Sequence, residues 1–126
     1  MIILDTCLLI DALTGPKRSA AALRSAIEEG ERILLPSLVL YEWLRGPRLP
    51  QELAAQEFLF PSHAAMPFGW QESALSAKLY RSLRRARGRE MDIAIAACAI
   101  ARDAAFWTLN STDFKDIPGL RFYADG

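Results

Sequence analysis

One histidine, His63, stands in a chain of 126 residues. A lone imidazole excludes a histidine-pair mechanism and any multi-histidine metal site; beside Pro61 and Ser62 it reads as a loop residue. Cysteine is nearly as scarce. Cys7 and Cys98 lie far apart in apolar surroundings, too few for a disulfide scaffold, so both are expected to be buried thiols in a reducing compartment. Net charge is absent as well: 15 Lys and Arg balance 15 Asp and Glu, and any attraction to nucleic acid must come from a local patch. Neither G-x-x-x-x-G-K-S/T nor G-x-G-x-x-G occurs, which leaves no phosphate-cradling glycine loop. Ser37 and Cys7 have no histidine base in any motif, so covalent catalysis is not expected. The opening apolar run has no basic start, is interrupted by Asp5, and is too short for a bilayer; neither signal peptide nor membrane span is expected, and the cytoplasm is the expected location.

What is present is ordinary globular material, 52% hydrophobic and 24% charged, enough for one domain over residues 1–126 with no linker, repeat or low-complexity tract. Short β-like runs alternate with helical ones. Strands are expected at residues 2–4, 33–35, 64–67, 106–109 and 120–123. Helices are expected at 7–13, at 17–29 with Gly30 as C-cap, from Ser37 to Gly46, from Pro50 to Phe60, at 72–86 on the stripe Leu75, Leu79, Leu83 and Ala86, and at 90–103. Such alternation implies crossovers: an α/β sandwich with a central, mostly parallel sheet of four to five strands covered on both faces. Functional groups in such sheets gather beyond the carboxyl ends of the strands.

Four acids meet that rule or break another. Asp5 directly follows Ile2-Ile3-Leu4, and Asp113 comes four residues after Leu109. Glu42 sits inside Leu38-Val39-Leu40-Tyr41-Glu42-Trp43-Leu44, and Asp92 is the only charged residue from Met91 through Ala101. A carboxylate in apolar company is costly unless a cation or hydrogen bonds meet it, and neither run contains a lysine or arginine. A divalent cation such as Mg²⁺ or Mn²⁺, which favours hard oxygen ligands and lowers the pKa of bound water, would account for all four. Each also has an ordinary reading: Asp5 as a helix cap, Glu42 as an outward helix residue, Asp92 as a helix N-terminal acid, Asp113 as a turn former.

The surrounding residues carry a resemblance. Asp5-Thr6-Cys7-Leu8-Leu9-Ile10 resembles the opening of PIN domains, an aspartate and a small hydroxyl residue after the first strand. The run from Pro36 to Gly46, with Glu42 and a closing Arg45-Gly46, resembles their second motif. Asp92-Ile93-Ala94-Ile95-Ala96-Ala97 is similar to the third, and Thr108-Leu109-Asn110-Ser111-Thr112-Asp113-Phe114 to the fourth. Order and length are those of VapC-type toxins, ribonucleases of type II toxin–antitoxin systems. The resemblance implies a Mg²⁺- or Mn²⁺-dependent endoribonuclease inhibited by a cognate antitoxin, with Asp5, Glu42, Asp92 and Asp113 as catalytic, metal-holding acids. Thr6, Asn110 and Thr108 would support them by hydrogen bonds. Asp116 is read as a turn acid, with a substitute ligand as the other reading.

Lys78, Arg81, Arg84, Arg85, Arg87 and Arg89 place six positive charges in twelve residues upstream of Asp92. They read either as the solvated face of the 72–86 helix or as a phosphate track for RNA, which four carboxylates alone would repel; Arg84, Arg85, Arg87 and Arg89 are the RNA-binding candidates, and Arg45 and Arg48 would extend the track. Leu8, Leu9, Leu13, Leu38, Tyr41, Trp43, Leu53, Phe58 and Phe60 are expected to exceed what one small core holds. The expected partners are therefore a second copy in a homodimer and an antitoxin covering a groove near Tyr41, Trp43 and Phe58, with DNA met only through the antitoxin. Two rivals remain: a PIN-fold binding partner with little nuclease activity in a DNA-binding complex, and a response-regulator receiver, which would need a second aspartate at strand one and an acceptor aspartate near Met66-Pro67-Phe68-Gly69 that the chain lacks.

Overall fold

In a computed structural model, residues 1–123 are described. The first strand, β1 (Ile2–Leu4), leads directly into α1 (Thr6–Leu13), then α2 (Ala20–Glu28) and β2 (Ile33–Leu34). Helices α3 (Ser37–Arg45), α4 (Pro50–Leu59), α5 (Trp70–Ser82) and α6 (Glu90–Ala101) follow, then β3 (Ala105–Trp107). Short 3-10 turns occur at Ser62–Ala64, which contains His63, and at Ser111–Phe114. The strands run parallel in the order β2-β1-β3, with Ile2 opposite both Ile33 and Ala105. Ile2, Ile3 and Leu4 are all buried. Because successive strand residues point to opposite faces, burial of all three means that both faces of β1 are covered.

The sheet has three strands among the described residues, where four to five were expected. The segments at 64–67 and 120–123 contribute one parallel bridge each, Met66 to Pro36 and Phe122 to Phe106. Pro36 and Pro67 lack the N–H groups a longer ladder beside β2 would use. Expected helices agree in number and shift at their ends. Gly30 takes the left-handed conformation, φ 86°, after α2, as a terminating glycine does. Ser37 is the first residue of α3 and Pro36 takes the cap position.

The largest displacement is in α5. It stops at Ser82, whose hydroxyl donates to the Leu79 carbonyl at 3.1 Å, and Leu83 turns extended. Ala86 is buried and Leu83 packs on the core from the loop that follows. Arg84, Arg85 and Arg87 are therefore exposed loop residues rather than one face of a helix. Helix α6 packs against α5, α3, β1 and β3, and its buried residues run around most of its circumference, which suits a central helix. The small side chains Ala96, Ala97 and Ala99 let those neighbours come close.

The core holds more than composition suggested. Leu8, Leu9, Leu13, Trp43 and Phe60 are buried, and Leu38 and Leu53 pack against them. Only Tyr41 and Phe58 of the nine apolar residues stay exposed, at 53% and 86%. Trp43, at 0% exposure, is a core residue and lines no surface groove. Arg48 closes over it, its guanidinium 4.3 Å above the ring and its Nε–H donating to the Trp43 carbonyl at 2.9 Å. Gly46 leaves room for that return, since a Cβ there would lie 2.7 Å from the guanidinium. Arg48 thus braces the end of α3. No helix among the described residues is long and apolar enough to cross a membrane.

Candidate active site

Asp5 lies where β1 ends and α1 begins, 6% exposed. Its Oδ1 accepts the Thr6 backbone N–H at 2.9 Å, so it is indeed a helix cap. Its Oδ2 accepts the Thr108 hydroxyl at 2.7 Å and the Cys7 thiol at 3.3 Å. Thr108 follows β3, the strand paired beside β1, so the hydroxyl arrives through sheet register. It also accepts the Asn110 backbone N–H at 3.0 Å. Asn110 supports the site through its backbone: its carbonyl accepts the Asp113 N–H at 2.9 Å.

Glu42 enters from α3, which packs on α1. The Thr6 hydroxyl donates to its Oε1 at 2.5 Å, and Arg45 meets Oε2 at 3.4 Å. The Arg45 side chain is 55% exposed, and such a pair contributes at most about 1 kcal/mol. The spacing of three on one helix would have flagged this pairing in the sequence. Cys7, half-buried rather than buried, has its thiol pushed from 9.0 up to about 11 by burial and by the Asp5 charge. It is a hydrogen-bond partner of Asp5 and not a nucleophile. Buried Cys98 is pushed up to about 12, chiefly by burial.

Asp92 stands in the first turn of α6. Its carboxyl is raised above the ordinary 3.8, first by partial burial, then by the charges of Asp5 and Glu42. Asp113, on the 3-10 turn after β3, adds to the rise, and Arg89 opposes it. The other three sequence-predicted acids therefore all act on Asp92 electrostatically, although the four come from separate elements. Among the described residues no three acidic, histidine or cysteine side chains close into a ready-made ligand set. Of the four, Asp92 and Asp113 share an open cleft. Arg85, Arg89, Asp92, Thr112, Asp113 and Asp116 border this shallow cleft of about 410 Å³.

The PIN domain family matches residues 2–120. The chain belongs to that family. Ribonuclease VapC19 of Mycobacterium tuberculosis (strain CDC 1551 / Oshkosh) is 34% identical over 123 residues, spanning 96% of this chain and 98% of the relative. A chain of the DNA-bound VapBC from Salmonella typhimurium superposes at TM-score 0.83 and 23% identity, over 99% of this PIN domain and 98% of that chain. VapBC2 from Rickettsia felis, bound to a DNA fragment from their promoter, superposes at TM-score 0.75 and 22% identity over 98% of both chains. At such identities the solved structures establish the fold.

Within this PIN domain the arginines divide. Arg84, Arg85 and Arg87 are exposed on the loop before α6. Arg89 is not free: it forks onto both oxygens of Asp116 and also donates to the carbonyls of Arg85 and Asp113, each at 2.8 Å. Asp116 is held in turn below the usual carboxylate range, mainly by that hydrogen-bonded arginine. Residues 27 apart give no local signal, so the sequence did not announce this pairing.

Proposed function

We propose that this chain is a metal-dependent endoribonuclease toxin, neutralised by a cognate antitoxin. The observation that carries the reading is that Asp92, at the start of α6, feels the charges of three acids from other elements: Asp5 after β1, Glu42 on α3 and Asp113 after β3. An Asp92 carboxyl raised by burial and by its acidic neighbours marks a site short of positive charge. Its donors are all hard oxygens, and Mg²⁺ characteristically uses one or two carboxylates while keeping several waters, so an open set fits Mg²⁺ or Mn²⁺. Asp5, Glu42, Asp92 and Asp113 would hold the ion. When bound, it supplies a water of lowered pKa and neutralises charge at the phosphorus.

The chain's own residues do the rest. Thr108 and the Thr6 N–H fix the Asp5 carboxylate, and the Thr6 hydroxyl fixes Glu42. Arg84, Arg85 and Arg87 offer cations to the phosphates flanking the scissile bond. Partner contacts fall on two surfaces. A groove of about 350 Å³ between α1, α2 and α4, lined by Leu13, Leu23, Ile27 and Leu59 with Lys17 and Arg24 among its residues, is assigned to the antitoxin. The apolar face of α3, with exposed Tyr41 and Leu44, is assigned to a second copy. These replace the groove expected at Trp43. DNA would be met only through the antitoxin.

The test is turnover of RNA by the antitoxin-free chain with Mg²⁺, Mn²⁺ or chelator, with its mass measured by sedimentation. Metal-dependent cleavage by a dimer is expected. Absence of cleavage with either ion, in a folded chain that still binds antitoxin, would favour a binding protein of the same fold. A strict monomer would refute the α3 assignment alone.

A further inference from the structure

Arg89 occupies the cap position of α6, three residues before Asp92. Its Nη1 donates to Asp116 Oδ2 and the Arg85 carbonyl, and its Nη2 to Asp116 Oδ1 and the Asp113 carbonyl. One guanidinium thus ties together the arginine loop, the start of α6 and the 3-10 turn that carries Asp113. That turn has a second anchor underneath. Phe114 is 2% exposed and meets Phe106 of β3 edge to face at 4.9 Å. Phe114 holds the turn to the sheet, and Arg89 holds it toward Asp92.

Two simpler roles are disfavoured by the same bonds. A phosphate-binding arginine presents free donors, whereas these are aimed at protein oxygens, and a bidentate fork is the strongest arrangement a guanidinium makes. An Asp116 that served as a cation ligand would have free oxygens, whereas both accept from Arg89.

We propose that Arg89 is a positioning residue: through Asp116 and the Asp113 carbonyl it holds the Asp113 carboxylate at the cleft beside Asp92, and so raises the affinity of the site for a divalent cation. This rests on the cation-binding reading of the four acids. It makes a counter-intuitive statement, that a cation at the rim strengthens the binding of another cation. Simple Coulomb repulsion predicts the opposite sign for its removal.

The experiment is calorimetric titration of Mn²⁺ into the antitoxin-free chain. Wild type is compared with Arg89→Gln, Asp116→Asn, Arg89→Lys and the double variant Arg89→Gln/Asp116→Asn, each first shown to be folded by circular dichroism. The double variant removes one charge of each sign, so the net charge of the cleft is unchanged. It is expected to bind Mn²⁺ roughly tenfold more weakly, the scale set by removing the support behind metal ligands. Arg89→Gln alone is expected to lose as much, and Arg89→Lys to keep part. Affinity for an uncleavable RNA without metal should move less than twofold. A double variant that binds Mn²⁺ like wild type, or an Arg89→Gln that binds it more tightly, overturns the clamp while leaving the cation site standing. Weakened RNA binding with Mn²⁺ affinity unchanged also overturns it, in favour of a phosphate-binding arginine. A folded wild type that takes no Mn²⁺ overturns the cation reading itself, and this assignment with it.

Discussion

Among the four acids, Asp5 and Glu42 form one side, wrapped in hydrogen bonds from Thr6, Cys7 and Thr108. On the other, the Asp92 carboxyl is raised chiefly by burial and by neighbouring charges, and Asp113 rides on an exposed turn clamped by Arg89. The first side is built by chain adjacency and strand register: Asp5 and Thr6 are consecutive, and Thr108 follows the strand next to β1. The second side is built by an ion pair and by repulsion. One side is therefore pre-set, while the other is left with an electrostatic deficit. A binding site for a cation needs both, geometry from the first and driving force from the second.

The sharpest way to break the comparison is Asp92→Asn. Cleavage is expected to fall by at least roughly a hundredfold through loss of a ligand charge, in a protein that folds normally. The sign of the stability effect follows from the raised pKa. The folded state holds this proton more tightly than the unfolded chain, so stability from this group is fullest at low pH. It declines as pH rises from the ordinary 3.8 through the raised folded value. Asparagine removes that decline. Thermal melting without metal should give a Tm equal to or above wild type at pH 7, and below pH 4 the gap should vanish. A clearly lower Tm at pH 7 would mean that Asp92 is a structural acid.

Thr108→Val attacks the other side and should behave oppositely. It leaves the buried Asp5 Oδ2 without its best donor, for a loss of about 1–3 kcal/mol in urea unfolding, together with weakened cleavage. Thr6→Val, which removes the hydroxyl donating to Glu42 on α3, should reduce cleavage with a smaller loss of stability, about 1 kcal/mol. If both valine variants unfold like wild type, the pre-set side is not held by these hydroxyls.

The smallest effect belongs to the exposed arginines. Replacing Arg84, Arg85 and Arg87 with Gln should flatten the salt dependence of RNA binding by roughly 0.7 in log–log slope for each phosphate left without its arginine, with little change in turnover at saturating RNA. An unchanged slope would make that loop an ordinary solvated surface, and would move substrate recognition elsewhere on the cleft.

How far these two sides were legible beforehand differs for the same reason. Asp5, Thr6 and Glu42 stood out because strand exits and apolar runs are local patterns. Asp92 stood out as one charge in an apolar helix. Helix α5 ends before its apolar spacing does, because Leu83 and Ala86 continue that spacing while reaching the core from a loop, and periodicity does not separate the two. Trp43 lies in the core and not at a groove, a choice the sequence leaves open because apolar residues on a helix do not declare which of them the core has room for.

The sequence by itself determined the alternating α/β order, the carboxyl-edge position of Asp5 and the acidic character of the site, because those depend on residue type and near-neighbour spacing. Only the tertiary structure decided that Thr108 braces Asp5, that Arg48 seals Trp43 and that Arg89 forks onto Asp116. An arginine's reach is long, and the sequence does not fix which acceptor lies within it; the packing of α6 against the turn after β3 does.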